Sequence, residues 1–205
     1  MASNLRTLLL LIIVLMLTGC ATGYGPQGMT GGYKERKLDE GRYIVSFFGN
    51  GHTTEQLVWN FWLYRCAELT SQNGYDFFEI LPSANHALGN ENENAYQFTM
   101  IPSTLEFASE GGVKPVAYTT YTITTYSSKA IVQMYKNPVP QSAKFLLDAK
   151  LIMSLLKPYI DSNGKTTPPE RKDLMIRATV EAAIKSNKIK PEDSNVLDKK
   201  LRQSL

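Results

Sequence analysis

The chain is poor in the residues that build metal centres and disulfide frameworks, with 2 Cys and 2 His among 205 residues. No H-x-x-x-H or C-x-x-C spacing occurs, and His52 and His86 fall in separate loop-like stretches, so no metal and no cofactor is expected. Two cysteines, Cys20 and Cys66, are too few for a disulfide-stapled scaffold. Charge is also modest: charged residues make up 20% and the net charge is +3, while 43% hydrophobic residues are enough for a core, which excludes a disordered chain. Long apolar runs are missing as well. The unbroken run at residues 8–17 gives about 15 Å of helix against roughly 30 Å of hydrocarbon, too short to span a membrane.

That run is informative in another way. Arg6 precedes it and Leu17-Thr18-Gly19-Cys20 ends it, the layout of a secretory signal over residues 1–19. The four residues resemble the lipobox of bacterial lipoproteins, an aliphatic residue and two small residues before an obligatory cysteine. The resemblance implies cleavage between Gly19 and Cys20 and acylation of the Cys20 thiol. Each buried methylene contributes about 0.8 kcal/mol, so two or three acyl chains hold far more firmly than one, anchoring the protein without spanning the bilayer. Ala21 stands where an Asp would resemble an inner-membrane retention signal. The expected location is therefore the outer membrane, on its periplasmic face, and secretion removes nucleic acid from the candidate partners.

Residues 20–32 combine the cysteine with five glycines and no apolar period, which predicts a flexible tether reaching about 20 Å. Residues 33–160 then alternate strand and helix signals. Arg42–Phe48 is rich in β-branched and aromatic residues and reads as the first strand. Thr53 and Gln56 fit a capping box for a helix running to about Gln72, before an Asn73-Gly74 stop. Trp59, Trp62, Cys66 and Leu69 form its packed stripe, and Arg65, Glu68 and Gln72 its wet side. Further strands are predicted at 75–81, 95–101, 116–126 and 129–135, the last two joined by a turn at Tyr126-Ser127-Ser128. A second helix follows over 142–159, with Phe145, Ala149, Ile152 and Leu156 on one face. The order β-α-β-β-β-β-α predicts an α+β fold, a largely antiparallel sheet with helices on one face, plus an extra C-terminal helix.

Gly32-Tyr33-x-Glu35-x-x-Leu38, Arg42-Tyr43-x-Val45-x-Phe47-x-Gly49-Asn50, Thr53, Ala67-Glu68-Leu69-Thr70 and Gly74-Tyr75-Asp76-x-Phe78 occur in that order. Together they resemble an uncharacterised family of small proteobacterial envelope lipoproteins. The resemblance spans residues 32–80 closely and extends loosely to residue 160. It implies an anchor and a fold, and carries no activity. Members of that family often end near the second helix, whereas this chain continues.

Residues 161–205 form that continuation, a basic helical tail. Thr167, Pro168 and Glu170 predict a helix start, and Ile176, Val180, Ala183 and Ile184 an apolar face extending to about Asn187. The stretch 165–205 carries a net +4 and residues 21–164 a net −2, so the net positive charge of the mature chain comes from the tail. Such a tail either packs on the core by its apolar stripe or touches anionic headgroups or an acidic partner.

Catalysis finds little to work with. Cys66 lies on an apolar stripe, where a thiol is inert, and nothing pairs an acid with a base, so a hydrolase is a remote alternative. The expected role is a non-enzymatic binding or assembly module engaging an envelope protein or a cell-wall partner. Two candidate sites stand beside it. Gly49, Asn50, Gly51, His52 and Thr53 form a strand-to-helix loop whose backbone N–H groups suit an anion, or simply a tight turn and cap. Tyr118, Tyr121, Tyr126 and Tyr135, among many threonines, make a hydroxyl-rich sheet that suits glycan or peptidoglycan fragments, or is an ordinary solvated face. Glu91 and Glu93 are too few for calcium.

Overall fold

The computed structural model describes residues 21–81, 98–100, 123–143 and 145–204. The signal sequence with Gly19 and Cys20, and likewise His86, Glu91, Glu93, Tyr118 and Tyr121, lie outside the described residues. Among the described residues are seven strands and four α-helices: β1 (Gly32–Asp39), β2 (Arg42–Phe48), α1 (Glu55–Gln72), β3 (Phe77–Leu81), β4 (Phe98–Met100), β5 (Ile123–Thr125), β6 (Ser127–Tyr135), β7 (Leu147–Asp148), α2 (Ala149–Asp161), α3 (Arg171–Lys185) and α4 (Ser194–Ser204). Five strands form one antiparallel sheet in the order β1-β2-β6-β3-β7, and β4 pairs with β5 separately. The α+β architecture with an additional C-terminal helix is therefore as the sequence indicates.

The core forms where the sheet meets the helices. Val45 and Phe47 of β2, Phe78 of β3 and Val132 of β6 meet Phe61, Leu63 and Cys66 of α1, Ile152 and Leu156 of α2, and Leu174 and Ala178 of α3. Close packing of this kind leaves the indole N–H of Trp62 needing a partner, and it donates to Val45 O at 2.9 Å.

Several boundaries differ from the sequence reading. Arg42–Phe48 is the second strand, since the charged stretch Gly32–Asp39 pairs with it along its length. An edge strand faces solvent, so its side chains are not required to be apolar and its charges discourage edge-to-edge association. The expected turn at Tyr126-Ser127-Ser128 is absent. Ser127 and Ser128 pair with Phe48 and Phe47, and Gly49 N donates to Tyr126 O at 2.8 Å, so the chain runs straight on into β6. The second helix starts at Ala149, because Leu147 and Asp148 first pair with Phe78 and Phe77. Phe145, expected on that helix's packed face, is 62% exposed.

Helix caps also move by a residue or more. Thr54, not Thr53, caps α1 by accepting from Leu57 N at 3.2 Å. Glu170 caps α3 through Lys172 N at 3.1 Å and Asp173 N at 2.9 Å. Arg65 is not on a wet side. It is 8% exposed, pairs with Glu35 of β1 and Glu68, and stacks over the Tyr33 ring at 4.3 Å.

The ends of the domain are drawn in. Residues expected as a flexible tether lie on the core: Thr22 is 1% exposed, and Tyr24 packs edge-on against Phe61 and Tyr64. The glycines serve close approach here. Gly31 and Gly32 sit at φ +103° and +124°, and a Cβ on Gly31 would meet Phe48 O at 2.2 Å. At the other end, α3 buries Leu174, Ile176, Ala178, Ala182 and Ala183, and α4 is held to it by Arg202, which pairs with Asp173 at 2.8 Å.

Candidate functional site

The strand-to-helix loop closes on itself. Asn50 N donates to Thr22 Oγ1 at 3.0 Å and to Thr53 Oγ1 at 3.1 Å, His52 N donates to Asn50 Oδ1 at 2.9 Å, and Thr53 N donates to Asn50 O at 3.0 Å. The Thr53 hydroxyl is buried and also accepts from Thr22 N at 3.1 Å. The N–H groups of Gly49, Asn50, His52 and Thr53 are thus engaged within the fold. Gly49 is required by packing: a Cβ there would lie 2.9 Å from both Thr53 Cβ and Val58 Cγ2. The loop is thus a clasp joining β2, α1 and the N-terminal segment. His52 is exposed at its tip.

Of the four tyrosines, Tyr118 and Tyr121 lie outside the described residues, and Tyr126 and Tyr135 lie apart near opposite ends of β6. Tyr126 packs against the main core beside the loop, through its backbone contact with Gly49. Tyr135 lies at the far end of β6, packed with Phe77, Ala143, Leu146 and Ala182. Its hydroxyl donates to Glu79 Oε2 at 3.2 Å, and burial together with that carboxylate pushes its pKa up to about 12.

Two recesses that the sequence did not reveal are better formed. The first, of about 630 Å³, is lined by Ala21, His52, Thr54, Leu57, Tyr159 and the turn 163–168 between α2 and α3. Its floor is Leu57 and Tyr159, and its rim is hydroxyl, amide and amine. The second, of about 520 Å³, is an apolar groove lined by Ile80, Leu147, Met175, Thr179, Leu201 and the exposed Phe145. Its lining comes from β3, β7, α3 and α4, four elements far apart in the chain. No local spacing announces it.

Among the described residues, Lys185 and Arg202 each bridge two carboxylates. Lys185 joins Asp148 at 3.0 Å and Glu181 at 3.1 Å, and Arg202 joins Asp173 at 2.8 Å and Asp198 at 2.6 Å. Cys66 is fully buried, and burial pushes its thiol well above the ordinary cysteine range. Among the described residues no group of three or more His, Cys, Asp or Glu could hold a metal ion, and no helix is long and apolar enough to cross a membrane. Set against family models, curated proteins and solved structures, the chain matches none.

Proposed function

We propose that the protein is a lipid-anchored envelope protein, held at the periplasmic face of the outer membrane through Cys20, that acts as a non-enzymatic binding module for another envelope protein. The observation that carries the binding role is the apolar groove beside Phe145. A large aromatic side chain left at the surface beside a mostly apolar recess favours a partner that brings its own apolar side chains, and aromatic residues at such places contribute most to association. Lys172, at the groove's edge, directs its amine to Arg202 O at 2.9 Å, which fixes the helix pair that forms one wall. The anchor rests on Leu17-Thr18-Gly19-Cys20 and the apolar run before it.

The test is site-specific photo-crosslinking in intact cells. A benzophenone side chain at Phe145 is expected to give a discrete protein adduct, and the same group at Val196, exposed on α4, is expected to give none. With the benzophenone moved to Thr179 in the same groove, Phe145→Asp should abolish capture while leaving the fold intact by circular dichroism. No adduct at position 145 sinks the binding role, and unchanged membrane partitioning of Cys20→Ala sinks the anchor.

A further inference from the structure

We infer that the face around Ala21, the recess of about 630 Å³ with its rim of His52, Thr54 and the turn 163–168, is the surface that lies against the lipid headgroups. This rests on the anchor reading above and adds what that reading lacks, a fixed orientation of the domain on the bilayer.

The inference follows from how the chain leaves the anchor. Thr22 is buried and engaged at both polar groups: its N–H donates to Thr53 Oγ1 at 3.1 Å, and its hydroxyl oxygen accepts from Asn50 N at 3.0 Å and from the Thr53 hydroxyl at 2.9 Å. The same hydroxyl donates to Thr30 O. Two residues on, Tyr24 is fixed by its hydrogen bond to Glu68 at 2.6 Å and by ring contacts with Tyr33, Phe61 and Tyr64. The docked chain therefore begins at Thr22. A residue spans at most about 3.6 Å, so Cys20 cannot lie more than about 7 Å from that fixed point. A diacylglycerol on Cys20 then brings the wall containing Ala21 against the bilayer surface, with no more than two residues of chain between the anchor and the fixed fold.

The chemistry of that wall suits headgroups. Thr167 offers a hydroxyl, Asn163 an amide, Lys165 an exposed amine, and Leu57 and Tyr159 a mostly apolar floor, while Thr54 caps α1 and Thr166 donates to Pro158 O at 3.2 Å. Neighbouring charges are largely paired, Lys157 with Asp161 at 2.7 Å and Arg171 with Glu55 at 3.4 Å, so the contact is chiefly polar and weakly dependent on salt. The apolar groove shares no lining residue with this recess, so a domain seated this way keeps the groove available.

The test uses the lipidated full chain in vesicles of phosphatidylethanolamine and phosphatidylglycerol. Acylation consumes Cys20 and Cys66 is buried, so one introduced cysteine takes a fluorophore cleanly. Labels at Thr167→Cys and His52→Cys are compared with labels at Val196→Cys and Leu38→Cys, all at exposed positions. Labels at 167 and 52 are expected to be quenched several-fold more than the other two by headgroup-labelled lipid, and less by an aqueous quencher. A Gly-Ser insert between Ala21 and Thr22 should erase the difference while the acyl mass remains. Equal quenching at all four sites with the acyl mass present overturns the docking alone. Absence of the acyl mass by intact-protein mass spectrometry overturns the anchor and the docking together.

Discussion

The Tyr24 hydroxyl donates to Glu68 Oε2 at 2.6 Å, and the same carboxylate oxygen accepts from Arg65. Arg65 reaches Glu35 of β1 as well, so one guanidinium ties the N-terminal segment, the edge strand and α1 together. The two carboxylates hold the Arg65 charge against the penalty of burial, and its pKa is raised. Removing one partner of such a cluster leaves charge poorly solvated. Arg65→Met is expected to destabilise the domain by about 3 kcal/mol in urea unfolding, and a loss under half of that would mean the cluster is dispensable.

Gly49→Ala tests the clasp. The added methyl has Thr53 on one side and Val58 on the other at 2.9 Å, both backed by the core. A cost of about 2 kcal/mol is expected from overpacking. Thermal unfolding measures it, and an unchanged midpoint would show that the loop relaxes freely.

The Cys66 thiol should be silent in the folded protein. Burial both blocks reagent and holds the proton on sulfur. With Cys20 replaced by Ala, reaction with a thiol reagent is expected only at the rate of unfolding, rising steeply with urea. Stoichiometric labelling in native buffer would contradict this.

Alkaline stability follows from the phenols. Burial is the leading cause that raises the pKa values of Tyr24, Tyr64, Tyr159 and Tyr135 in the folded protein. In the unfolded chain a phenol ionises near pH 10. Folding therefore favours the protonated phenols: their stabilisation is complete below pH 10 and is lost as pH rises through the folded values, which for Tyr135 means up to about 12. Urea unfolding across this window should show a steady fall, and Tyr135→Phe should flatten part of it. A stability independent of pH there would refute the assignment.

Leu174→Ala asks whether the C-terminal region is integral. Leu174 is fully buried in the same core as α1 and α2, so a cavity costing about 3 kcal/mol is expected. Loss of α3 alone, with the rest unaffected in hydrogen exchange, would make it an appendage.

What could be read from the sequence was what depends on local periodicity. The α1 stripe with Trp62 and Cys66 and the Asn73-Gly74 stop are visible in spacing alone, and Cys66 is buried as expected. The edge strand β1 escaped because its side chains face water and carry charge. Arg65 was misread for the matching reason, since the Glu35 that covers it comes from that strand. Glycines at 31 and 32 suggested looseness, although the same lack of a side chain lets a chain press close to its neighbour. Neither the recess at Ala21 nor the groove at Phe145 has a local signature, because each is assembled from segments brought together only by the fold.

One carboxylate sets a limit on how the chain can be shortened. Asp148, 2% exposed, ends the last strand of the sheet, accepts from Leu151 N at 2.7 Å to start α2, and meets the Lys185 amine at 3.0 Å. A version stopping near residue 160 would keep the acid and lose its counter-ion, together with the Leu174 side chain that fills the space beside α2. Asp148 would keep its bond to Leu151 N, and the face of α2 beside Leu174 would be uncovered. The basic tail and the acidic body are thus joined at a shared charge pair and a shared core.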